Sequence, residues 1–151
     1  MKKLDVAIIG AGPAGIGISA MLAELGIKNQ VIFERNKVGS SFENWPEEMK
    51  LITPSFTTNF YGSMDLNAIV SRTSPAYTLR REHPTGKEYA NYLRAVSNHL
   101  KLPIVEETSV EEVNISKKTF KLKINGSDLV ESKFVIWATG EFQFPSLAPF
   151  K

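Results

Sequence analysis

Gly10, Gly12 and Gly15, followed 19 residues later by Glu34, have the types and spacing to hold a dinucleotide. Each residue answers a physical need. Gly10 permits a tight turn. Gly12 has no side chain, so a pyrophosphate can approach the backbone. Gly15 lets a helix pack closely on a strand. The amides that open the helix, with their partial positive charge, suit phosphate oxygens. Ala11, Pro13 and Ala14 complete this cradle. Glu34 can accept hydrogen bonds from the hydroxyls of an adenosine ribose, and its carboxylate disfavours a 2′-phosphate. FAD or NAD is therefore preferred here over NADP, although the neighbouring Arg35 keeps that preference from being absolute.

Other chemistries find less in the chain. It contains no cysteine, so a disulfide, a thiolate metal ligand and a cysteine nucleophile are excluded within it. The two histidines, His83 and His99, are far apart, and no metal site is expected. His83 precedes Pro84 near a helix start and His99 falls late in a helix; both read as structural or exposed. Trp45 is suited equally to walling a flavin ring and to a core. Thr53 and Asn59 are candidate polar contacts beside such a ring. No residue is assigned a catalytic role.

These residues must be carried by a fold. Val6–Ile9 is a β-branched apolar run suited to a strand buried on both faces. The glycine turn follows it, then a helix ending near Gly26, then a strand at Val31–Glu34. Together they make one βαβ unit. Residues 35–83 show no dominant period; turn formers alternate with apolar and aromatic residues. Short helical pieces are expected there. Thr85 and Glu88 predict a capping box, after which Tyr89, Leu93, Val96 and Leu100 share one helical face. A strand is expected at Pro103–Val105. A β-meander is expected from residues 108–115, 119–124 and a segment around Leu129, with Asn125-Gly126 as a hairpin turn. The last strand is placed at Phe134–Ala138. The class is α/β: a Rossmann-like domain with a central parallel sheet, helices and a small meander.

Composition agrees with a globular domain: 42% hydrophobic and 23% charged over 151 residues, with a net charge of +2. Lys/Arg and Asp/Glu are interspersed, so no nucleic-acid footprint is seen. No apolar run reaches membrane-spanning length. Lys2-Lys3 before an apolar stretch mimics a secretory leader, but Asp5 and the glycines make a poor leader helix. A cytoplasmic location is expected.

The stretches VAIIGAGPAGIGISAMLAELG, VIFER and ATGEFQFP together resemble the two-dinucleotide-binding flavoproteins. That group includes flavin-containing and Baeyer–Villiger monooxygenases and the pyridine nucleotide–disulfide reductases. MKLITPSFTTNFYG and HPTGKEYANYL are most similar to bacterial flavoproteins described as associated with cation efflux. The resemblance implies FAD on the N-terminal fingerprint, with NAD(P)H, a small-molecule substrate and oxygen as reaction partners. It implies a second flavin loop at Gly39, Ser40, Ser41, Phe42 and Trp45. Ser40 and Phe42 depart there from a Gly-Gly-x-Trp pattern. It further implies that Val110 meets the adenine and that Ala138, Thr139 and Gly140 lie by the cofactor at the domain exit.

No redox cysteine pair is present, which favours the monooxygenase branch over a disulfide or quinone reductase. A nucleotide-binding module without catalysis is the third reading. The resemblance also implies a second nucleotide domain and a returning segment. Residues 1–151 are therefore expected to be an incomplete N-terminal part that docks on the remainder of its own polypeptide and, alone, is inactive and retains FAD weakly.

Overall fold

The computed structural model describes residues 2–56, 65–126 and 128–140. Asn59 and residues 141–145 of the ATGEFQFP stretch lie outside these. A single six-stranded sheet runs in the order β3-β2-β1-β6-β5-β4. The strands are β1 (Lys2–Ile9), β2 (Gln30–Phe33), β3 (Ile104–Val105), β4 (Val110–Ser116), β5 (Thr119–Ile124) and β6 (Asp128–Trp137). The first four in spatial order are parallel, and β6-β5-β4 are antiparallel. The helices are α1 (Pro13–Glu24), α2 (Ser40–Glu43), α3 (Pro75–Leu79) and α4 (Gly86–His99).

Strand alternation sends side chains to two cores. On one side Val6, Ile8 and Ile32 pack with Ile16 of α1 and with Tyr89, Tyr92, Leu93 and Val96 of α4. On the other, Ala7, Ile9, Val31 and Phe33 pack with Leu122 and Ile124 of β5 and Val130 of β6. One face is thus covered by helices, the other by the curling meander. Leu93 is fully buried, and its truncation to Ala would cost about 2–5 kcal/mol.

Helix ends follow local chemistry. Gly26, at φ 83°, ends α1: its N–H reaches the Ala23 carbonyl, and the Ile27 N–H reaches Leu22. This paired bonding satisfies carbonyls that the helix itself leaves free. At α4 the capping box forms: Thr85 Oγ1 accepts from Glu88 N, and the Glu88 carboxylate accepts from Thr85 N. The bond from the Thr85 amide, above all, holds the Glu88 carboxyl below its usual range.

Two expectations need correction. The segment around Leu129 and the strand at Phe134 are not separate; both belong to the ten-residue β6. Glu131-Ser132-Lys133 joins the two: Ser132 is buried and its hydroxyl donates to the Phe134 carbonyl at 2.7 Å. The polar side chain is satisfied within the strand, so the strand continues. The strand expected at Pro103–Val105 shrinks to Ile104–Val105.

The long irregular region holds α2 and α3, the short helical pieces expected of it. Its organiser is Asp65, a buried carboxylate that accepts from Asn67 N, Ser74 Oγ and Ala76 N. The Tyr89 hydroxyl donates to the Asn67 carbonyl, and Tyr92 bonds both Ile69 N and Thr73. Side chains of α4 therefore hold a segment with no periodicity of its own.

Candidate functional site

The site lies at the carboxyl ends of β1, β2 and β6. β1 delivers the glycine turn, and α1 begins at its far side. A Cβ on Gly15 would sit 2.0 Å from the Gly10 carbonyl oxygen, and one on Gly10 2.5 Å from that of Ala138. Neither distance is physically accessible, so both positions require glycine. Gly12 differs: a Cβ there would meet nothing within 4 Å. It faces open space, where a pyrophosphate could approach the backbone. Gly12 is also the N-cap of α1 and supplies no side-chain bond to the helix amides. No acidic residue occupies the first turn. Those amides keep their capacity for an anion.

Glu34 stands immediately after β2. Its Oε2 accepts from Ala11 N at 2.7 Å and its Oε1 from Asn36 N at 2.9 Å. A carboxylate has about four acceptor positions. Two backbone donors fix its orientation and leave acceptor capacity on each oxygen, the arrangement a ribose diol requires. Glu34 N and Glu34 O are bonded in turn to Val105 O and Thr108 N. The chain beyond β3 is thereby held beside the site. Val110 follows two residues later, half-buried at the start of β4 beside a register shift. Arg35 is exposed.

The third contribution comes from the exit of β6. Ala138 N donates to Ile9 O at 2.8 Å. The Ala138 and Thr139 backbone therefore packs against Gly10, and Gly140 follows at φ 77°.

The Gly39 turn joins from the helix side. Gly39 N donates to Ala11 O at 3.3 Å, and Gly39 has φ 73°. Its Cβ position is 3.0 Å from Ala90 Cα, so a side chain is disfavoured by both conformation and space. The bond sets Ser40 and Ser41, in the first turn of α2, beside the fingerprint. The Phe42 and Trp45 rings lie 4.9 Å apart, and Phe42 meets Tyr89 edge-on at 4.9 Å. They join the aromatic group at the start of α4.

Ala11 is thus where three distant stretches meet: its N–H goes to Glu34, its carbonyl to Gly39, and Gly10 beside it supports Ala138. The remaining candidates lie apart from this centre. Thr53 is exposed, with its carbonyl bonded by Asn67 Nδ2. His83 is exposed, with Nδ1 2.9 Å from Leu51 O. His99 is exposed at the end of α4.

Two residues that sequence reasoning did not single out hold the Gly39 turn in place. Glu106 Oε1 accepts from Val38 N at 2.8 Å, and Arg94 Nε donates to Val38 O at 3.1 Å. Arg94 is also paired with Glu43, whose carboxyl it holds below the usual range. Nothing in the local spacing signals these contacts. Among the described residues no cluster of three or more His, Asp or Glu is placed to hold a metal, and no helix is long and apolar enough to cross a membrane.

Comparison with known proteins agrees with this architecture. An "Uncharacterized oxidoreductase CzcO-like" of Geobacillus kaustophilus is 29% identical over 97% of this chain and 39% of its own. A bacillithiol disulfide reductase from Staphylococcus aureus superposes with a TM-score of 0.77 at 23% identity, over 93% of this chain and 39% of its own. A flavin-containing monooxygenase from Stenotrophomonas maltophilia gives 0.71 at 20% identity, over 92% and 39%. The chain spans about two-fifths of the length of these relatives. The family model described as "Pyridine nucleotide-disulphide oxidoreductase" matches residues 7–151. By that match, the chain belongs to the pyridine nucleotide-disulphide oxidoreductase family.

Proposed function

We propose that residues 1–151 form the FAD-binding part of an NAD(P)H-dependent flavoprotein oxidoreductase. The observation that carries this reading is the Glu34 carboxylate, oriented by Ala11 N–H beside the open face of Gly12 at the uncapped start of α1. Glu34 would take the ribose hydroxyls and the α1 amides the pyrophosphate. Ser40 and Ser41 would add polar contacts from the Gly39 turn. Backbone at Val110 would border the adenine, and Ala138–Gly140 would border the cofactor where the chain leaves the domain. FAD held by these residues would supply the redox chemistry, that of hydride acceptance from a nicotinamide. The protein supplies binding, orientation and exclusion of water. A cytoplasmic setting, where NAD(P)H is available, accompanies the reading.

Between the finer activities, the comparisons favour a disulfide or quinone reductase over the monooxygenase expected from the missing cysteines. The family description and the likeness to a bacillithiol disulfide reductase support the reductase. The likeness to a flavin-containing monooxygenase supports the other branch. A reductase would either draw its redox thiols from outside these cysteine-free residues or pass electrons from flavin directly to its acceptor.

The test is anaerobic addition of NADPH or NADH to the protein at its full natural length. Bleaching of flavin absorbance, reversed by a low-molecular-weight disulfide or a quinone, is expected. Oxygen uptake matched one-to-one to an oxygenated product would move the assignment to the monooxygenase branch. A protein that binds nucleotide but is never reduced would leave only a binding module.

A further inference from the structure

We propose that Arg94 and Glu106 are positioning residues for the flavin half of the cofactor, acting through the backbone of Val38. The proposal rests on the FAD reading above and names side chains outside the glycine fingerprint. Their geometry is unusual in its economy. Glu106 takes the Val38 N–H at 2.8 Å, and Arg94 takes the Val38 carbonyl at 3.1 Å. The N–H and C=O of one residue, which belong to successive peptide groups, are therefore held by opposite charges. The next residue is Gly39, whose N–H reaches Ala11 O and whose φ of 73° turns the chain into α2. The grip thus fixes where the chain enters α2, whose first residues are Ser40 and Ser41.

Three features argue that this is more than general packing. First, Glu106 is exposed, so its carboxylate is not there to fill a core. Second, both side chains border an open cleft of about 680 Å³. Water can reach them, and the bond is made in competition with it. Third, the two come from different elements: Arg94 from α4, Glu106 from the loop after β3. The same loop is held to Glu34 by the backbone bonds at Val105 and Thr108. Glu106 therefore hangs from a loop that is itself anchored at the Glu34 backbone.

The two cofactor halves should respond differently. Glu34 and the α1 amides serve the adenosine and its phosphate, and they do not depend on Val38. The Gly39–Ser41 segment serves the part beyond. In the full-length protein, Glu106→Ala is expected to weaken FAD binding about tenfold, the loss of one charge-assisted hydrogen bond. AMP binding should stay within about twofold. Glu106→Gln keeps an oxygen to accept the Val38 N–H and should recover most of the FAD affinity. Affinities are read from flavin fluorescence for FAD and from calorimetry for AMP, with thermal melts alongside. If Glu106→Ala melts early, Glu106→Asp, with its retracted carboxylate, should show the same selective loss on a smaller scale.

Equal weakening of FAD and AMP would overturn the proposal, as would unchanged FAD affinity in Glu106→Ala, or Glu106→Gln behaving no better than Glu106→Ala. A wild-type protein that bound neither FAD nor AMP would instead overturn the cofactor reading on which it rests.

Discussion

Two turns meet at Ala11, and they are built in opposite ways. The fingerprint turn is held by absence: Gly10 and Gly15 admit no Cβ because backbone oxygens lie 2.5 and 2.0 Å from where it would stand. The Gly39 turn is held by presence, since Arg94 and Glu106 bind the backbone of the preceding residue from elsewhere in the chain. The first is steric, so a substitution at Gly10 or Gly15 is felt by the fold itself. The second is electrostatic and remote, so it can be loosened without unpacking the core. A cofactor bridging the two would be held firmly at one end and adjustably at the other.

The largest expected effect breaks the steric turn. Gly15→Ala would push a methyl into the Gly10 carbonyl and should cost about 3 kcal/mol or more of stability. Urea unfolding measures it; a loss below about 1 kcal/mol would show that the backbone relaxes freely there.

Gly12→Ala sharpens the contrast within the same motif. The added methyl meets no protein atom, so stability should fall by less than about 1 kcal/mol, the order of a poorer helix cap. It would occupy the space of the pyrophosphate, so FAD affinity should fall at least about tenfold, or ~1.4 kcal/mol. Unchanged affinity in a flavin fluorescence titration would place the phosphates elsewhere.

Next is the frame that carries Arg94. Thr85→Ala removes the α4 capping box and should cost about 1 kcal/mol, read as a lower melting temperature. The companion residue Glu88 adds a pH signature. Its folded pKa is lowered by the bonds from Thr85, so its contribution is present above the unfolded value and is lost as pH falls through the folded one. Acid unfolding of wild type should therefore be steeper below about pH 4.3 than that of Glu88→Gln.

The smallest effect tests the ties between α4 and the long loop. Burial raises the Tyr89 and Tyr92 phenols above their usual range. The folded state keeps its protons where the unfolded chain releases them, so stability is full below about pH 10 and falls as pH rises above it. Tyr89→Phe should flatten that alkaline decline while losing about 1 kcal/mol near neutrality with its bond to Asn67. Melts between pH 8 and 11 would show whether the decline belongs to these phenols.

Much of the molecule was legible in its sequence because the relevant forces are local. The βαβ unit, the capping box at Thr85 and the positive-φ Asn125-Gly126 turn all follow from nearest neighbours and periodicity. What failed was also systematic. β6 looked like two strands because Ser132 is polar; its burial depends on a hydroxyl bond that no pattern announces. Asp65 lies in a region without periodicity, so its role as organiser of residues 65–76 could not be read. Glu106 and Arg94 are single charges in ordinary surroundings, 68 and 56 residues from Val38.

The sequence by itself determined the parallel βαβ start, the glycine cradle and the acidic residue that answers it. Sterics and hydrogen bonding within a few residues are enough to dictate these. Only the tertiary structure decided that Glu34 is aimed by Ala11, that Phe42 packs on Tyr89 of α4, and that Val38 is gripped by two distant charges. Each of these depends on which residues the folded chain brings within about 3–5 Å, a proximity that sequence spacing does not encode.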